Sequence, residues 1–161
     1  MRPVRGWRVF SCGLNDDGQL GLDHNNPEMT PQMVNLPPMS HISSKSNFCL
    51  GLDTYGNIWG WGSNADGIFS SFTDELTISR PYLLTSAKFK SYLDSPPAMV
   101  AAGNRAGIIL TANNTVYTFG TEQGFENTKQ RGLRCRFRSQ IFRLIGKTNF
   151  RLIGNIFKLW F

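Results

Sequence analysis

The chain has 161 residues, of which 40% are hydrophobic, 12% aromatic and 17% charged. That is enough apolar material for a packed core and excludes a chain disordered throughout. Seventeen Lys and Arg against eleven Asp and Glu give +6, but the excess lies at one end: residues 1–124 hold 8 basic and 10 acidic side chains, whereas residues 125–161 hold 9 basic side chains and Glu126. Any argument from net charge to an anionic partner, nucleic acid or membrane, therefore applies to the tail alone. Cys12, Cys49 and Cys135 fit neither a disulfide framework nor a paired metal motif. No run of 18 apolar residues and no signal-like start occur, so an intracellular location, cytoplasmic or nuclear, is expected.

In chain order, the first patterned segment is Val9-Phe10-Ser11-Cys12-Gly13, followed by the turn-rich run Gly13-Leu14-Asn15-Asp16-Asp17-Gly18-Gln19-Leu20-Gly21. The pattern recurs 49 residues later as Ile58-Trp59-Gly60-Trp61-Gly62, and after a further 58 as Val116-Tyr117-Thr118-Phe119-Gly120. On a strand, Phe10 and Cys12, Trp59 and Trp61, or Tyr117 and Phe119 share one bulky face, and the opposite face is small. Stacked sheets are expected to set one unit's bulky face against its neighbour's small one.

Upstream, Leu50, Leu52 and Gly56 correspond to Ile108, Leu110 and Asn114. Gly56 and Asn114 stand between two apolar runs, where a tight hairpin needs positive φ. Ile42 and Val100 mark a further strand in each unit, and Pro27, Pro31, Pro37, Pro38, Pro81, Pro96 and Pro97 disfavour helix between them. A period near 50 with several short strands predicts all-β propeller blades. The predicted repeat cores lie around 9–21, 42–70 and 100–124, within a repeat region at 1–124 followed by a basic aromatic tail at 125–161.

With Gly18-Gln19-Leu20-Gly21 in the first unit, Trp61, Gly62, Asn64 and Gly67 in the second, and Gly103, Thr111, Val116, Tyr117 and Gly120 in the third, the chain resembles the regulator of chromosome condensation repeat family. Ile68-Phe69-Ser70 departs from the family's Gln-Leu-Gly, and Phe48 and Ala106 occupy its His position. The resemblance implies four-stranded antiparallel blades in a seven-bladed ring, which this length fills only in part. An incomplete propeller with an irregular basic C-terminal extension is therefore expected, from truncation, marginal folding or completion of the ring by other chains. The family resemblance also implies a non-enzymatic interaction module with a protein partner. Exchange factors for the small GTPase Ran and repeat segments of larger, ubiquitin-ligase-like proteins are the two family readings. No cofactor, metal or catalytic residue is expected.

Other motifs have ordinary explanations. An EF-hand centred on Gly18 would begin at Gly13 and end at His24, the wrong ligands, so Asn15-Asp16-Asp17-Gly18 is expected to be a repeat turn. Gly146-Lys147-Thr148 lacks the upstream Gly of a phosphate loop, Asn113-Asn114-Thr115 coincides with a hairpin, and His24 and His41 accompany no nucleophile. The cysteines are expected to serve as small apolar residues. In the tail, Leu133, Cys135 and Phe137 alternate with Arg134, Arg136 and Arg138, and Phe142-Arg143-Leu144-Ile145-Gly146 is repeated as Phe150-Arg151-Leu152-Ile153-Gly154. Two readings stay open. Either Arg134, Arg136, Arg138, Arg143 and Arg151 meet phosphates of a membrane or nucleic acid while the aromatics insert or stack, or the segment is an extension without a partner.

Overall fold

The computed structural model describes residues 6–85, 89 and 91–120, together with the backbone of 137–138. The elements named among them are all strands: β1 Phe10–Gly13, β2 Glu28–Met33, β3 Met39–Lys45, β4 Phe48–Asp53, β5 Ile58–Ser63, β6 Thr77–Leu83, β7 Pro97–Ala102, β8 Ala106–Thr111, β9 Thr115–Gly120 and β10 Phe137–Arg138. They form a two-stranded sheet, β1-β2, and two four-stranded meanders, β3-β4-β5-β6 and β7-β8-β9-β10. All pairings are antiparallel. The chain thus presents the outer half of one blade followed by two blades, an incomplete propeller as expected.

Local chemistry sets the hairpins. Gly56 and Asn114 adopt φ of 79° and 66°, the left-handed geometry required by the turns β4-β5 and β8-β9. In the first turn Asp53, only 2% exposed, accepts from the Tyr55 and Asn57 amides at Oδ1. Its Oδ2 accepts from Asn57 Nδ2 and Trp59 Nε1. In the second turn Thr111 replaces Asp53, and Thr115 donates to Asp94 instead. The sequon at 113–115 is therefore part of a hairpin.

Stacking follows the two-faced pattern. Trp61 pairs across the strands with Cys49, and Phe119 with Gly107, so each bulky side chain lies beside a small one in its own sheet. Trp61 turns toward the preceding unit, where its Nε1 donates to Gln19 O at 3.0 Å. Phe119 does the same, meeting Phe69 and Phe72 at ring-centroid distances of 6.4 and 5.5 Å. One continuous core links both blades through Phe48, Leu50, Ile58, Phe69, Val100, Ile109, Tyr117 and Phe119. Cys12, expected as a small apolar residue in the place of Trp61 and Phe119, is exposed, because among the described residues no strand borders β1 on the side where β4 borders β5.

Candidate interaction surface

In an antiparallel meander, the turn between a blade's first two strands and the loop between its last two emerge at the same rim. On this rim lie loops 14–27 and 64–76 and the turns 46–47 and 103–105. Each loop is built on a buried Asn. Asn15 is fully buried; its Oδ1 accepts from the Leu20 amide at 2.9 Å, and its Nδ2 donates to the carbonyls of His24 and Asn26. Asn64 repeats this geometry with the Phe69 amide and the carbonyls of Thr73 and Glu75. The offsets of five, nine and eleven residues are identical in the two loops. Ile68-Phe69-Ser70 therefore keeps the loop's backbone design despite losing Gln-Leu-Gly, with Ile68 and Phe69 buried at 3% and 0% exposure. Asn15 belongs to a repeat turn, not to a calcium loop.

A polar contact then joins each loop to the next blade. Asn47 Nδ2 donates to Asp17 Oδ2, and in the corresponding place Arg105 meets Asp66 at 3.2 Å. Asp16, Asp66, Asp74 and Glu75 are exposed on the rim, while Lys45 and Arg105 supply its positive charge. Leu14 and Leu76 stand out from the same loops at 71% and 70% exposure. The result is an acidic surface with apolar projections, suited in shape and charge to a protein partner.

A cleft of about 80 Å³ between Ser46, Asn47, Phe48, Ser63, Asp66, Ile68 and Asn104 is far smaller than the roughly 300–1,000 Å³ of small-molecule sites. Among the described residues no group of three or more His, Cys, Asp and Glu could hold a metal. No helix among them is long and apolar enough to cross a membrane. His24 meets Glu28 at 3.6 Å and receives the Asn26 amide at Nδ1, while His41 lies in β3. Cys49 Sγ donates to Gln19 O, and burial pushes its thiol up to about 12. Of the tail candidates, Arg134, Arg136, Arg143 and Arg151 lie outside the described residues, and Arg138 lies in β10.

Sequence missed the Asn15 and Asn64 staples as functional scaffolding. Their matching positions in the two repeats, with Gly two residues before and Gly three residues after, are the signal that could have found them.

Residues 8–52 match the family model described as the Regulator of chromosome condensation (RCC1) repeat. The chain carries a partial RCC1 repeat region. Human Regulator of chromosome condensation is 31% identical over 121 residues, covering 73% of this chain and 28% of that protein. The RCC1-like G exchanging factor-like protein of Mus musculus is 28% identical over 116 residues, 70% of this chain and 24% of that protein. The chain thus spans about a quarter of the length of these relatives. The crystal structure of Prp20p from Saccharomyces cerevisiae, described with its binding properties to Gsp1p and histones, superposes with a TM-score of 0.66 at 23% identity. That superposition covers 83% of this chain and 34% of Prp20p, and it establishes the shared RCC1 β-propeller fold.

Proposed function

We propose that this RCC1 repeat region is a non-enzymatic protein-interaction module that engages a small GTPase and promotes nucleotide release. The observation that carries the reading is the 31% identity to human Regulator of chromosome condensation over 121 residues. The G exchanging factor name of the mouse relative points the same way. Exchange by gripping stabilises a nucleotide-empty GTPase, so it requires a shaped loop surface and no acid, base or metal. The rim of paired loops, with Asp16, Asp66, Leu14 and Leu76 projecting from it, supplies that kind of surface. The test follows release of a fluorescent guanine nucleotide from Ran with and without the full chain. Faster release at micromolar concentration is expected, together with capture of nucleotide-free Ran. Unchanged release removes the exchange activity, and absence of capture removes the GTPase partner.

A further inference from the structure

The outer strands β2 and β6 share one irregularity. Along β1-β2, Gly13 pairs with Glu28 and Ser11 with Gln32, so Met29-Thr30-Pro31 lies opposite Cys12 alone. Along β5-β6, Gly62 pairs with Ile78 and Gly60 with Tyr82, so Ser79-Arg80-Pro81 lies opposite Trp61 alone. The two bulges coincide in register, and each ends on a proline, which brings no amide to a ladder. Thr30 thereby takes the place of Arg80.

Thr30 is exposed, and Met29 beside it is 89% exposed. From Asn25 to Met33 every residue except Glu28 is exposed. This accessibility does not depend on a bare neighbouring face. Arg80 stays exposed although the preceding loop packs on its bulge, where the Asp23 amide donates to Ser79 O and a Cβ on Gly18 would strike Ser79 Cα. A loop seated on β2 in the same way would therefore leave Thr30 accessible.

In two places a hydroxyl residue precedes proline, Thr30-Pro31 and Ser95-Pro96. They differ in what surrounds the hydroxyl. Ser95 is half-buried, its Oγ accepts from the Asn113 amide at 3.1 Å, and the Pro96 carbonyl accepts from the Ala112 amide, so this pair is fastened to the β8-β9 turn. Thr30 Oγ1 accepts instead from the exposed side chain of Gln32, at 3.2 Å. Proline also holds the residue before it extended. Thr30 thus offers an extended backbone, an accessible hydroxyl and a following residue without an amide proton.

We propose that Thr30 is a phosphorylation site for a proline-directed protein kinase. The γ-phosphoryl group of a nucleoside triphosphate passes to Thr30 Oγ1. The Oγ1–P bond forms, the bond from that phosphorus to the oxygen bridging the β-phosphate breaks, the nucleoside diphosphate leaves, and the hydroxyl proton goes to the kinase's aspartate. Direction by proline has a physical basis: a cleft with no acceptor for the next amide disfavours every residue that carries one, and admits Pro31. The product carries a charge of about −1.5 to −2 at pH 7. On a bulge facing water that charge stays solvated and displaces no packed side chain, so the fold is expected to hold.

The test incubates the full chain and ATP with two purified proline-directed kinases in turn, one mitogen-activated and one cyclin-dependent, and locates the phosphate by mass spectrometry of its peptides. Label is expected on Thr30 with at least one of them, and not on Ser95. It should persist in Thr30→Ser and vanish from this position in Thr30→Val. Pro31→Ala restores an amide that the cleft cannot satisfy, and is expected to slow labelling about tenfold while leaving the circular dichroism unchanged. An unlabelled Thr30 with both kinases, equal labelling of Ser95, or an undiminished rate in Pro31→Ala would each overturn the proposal. Urea unfolding gives an independent readout: the phosphorylated chain should keep the midpoint of the unmodified one, and a clearly lowered midpoint would overturn the placement of Thr30 on an open bulge.

Discussion

At the scale of single residues, Cys49 joins packing to pH. Its thiol donates to Gln19 O, the carbonyl that also receives the Trp61 indole, and burial raises its pKa from the usual 9.0 to about 12. The folded state therefore holds this proton more tightly than the unfolded one. The contribution to stability is full below about pH 9 and declines as pH rises toward 12. Denaturant titrations between pH 9 and 10.5 are expected to show a stability loss of up to about 1.4 kcal/mol per pH unit from this group. In Cys49→Ala that component of the slope should disappear, whatever the variant's starting stability. An unchanged slope would show that the thiol does not hold the proton. The cysteine was legible in sequence as a small apolar residue, but its desolvation was not, because the covering carbonyl comes from Gln19, 30 residues earlier. The same limit applies to Asn15 and Asn64. Their partners are backbone groups, which have no side-chain signature in sequence.

Among the elements, the inner hairpins were legible and the outer strands less so. Gly56 and Asn114, each standing between two apolar runs, announce β4-β5 and β8-β9 through turn chemistry and apolar strands buried along most of their length. The outer strands β2 and β6 carry Pro31 and Pro81; β2 is largely exposed and β6 buries only Ile78. An edge strand needs neither a continuous apolar face nor every amide, so its sequence loses the marks by which strands are recognised. Glycines separate local from tertiary constraint. Gly56→Ala puts a side chain at φ 79° into open space, so its cost is the conformational strain of about 1–2 kcal/mol. Gly62→Ala adds a collision with the backbone of Asn47 and Phe48 at φ 100°, and is expected to cost about 4 kcal/mol. Urea unfolding of the two variants tests the ranking. Equal losses would mean that the turn yields to the added methyl group.

In the molecule as a whole, the blades meet along a polar seam and an apolar one, and the apolar seam should dominate the coupling. Arg105 and Asp66 are about half exposed, so solvent and salt weaken their attraction. Arg105→Ala is expected to cost less than about 1 kcal/mol, with the difference shrinking at high salt. Phe69 differs in kind. It is fully buried, packs edge-on against Phe48 at 5.7 Å in its own blade, and meets Phe119 of the next at 6.4 Å. Removing its ring leaves a cavity shared by both sheets, so Phe69→Ala is expected to cost about 3–5 kcal/mol. Stacked repeats draw cooperativity from nearest-neighbour interfaces, so the loss should also uncouple the blades. Hydrogen exchange provides the readout: in the unmodified chain, the amides of β4 and β5 should open with nearly the same free energy as those of β8 and β9. In Phe69→Ala both sets should exchange faster and their opening free energies should separate, whereas Arg105→Ala should leave them together. If Phe69→Ala accelerates exchange in one blade alone, the ring does not carry the coupling between them.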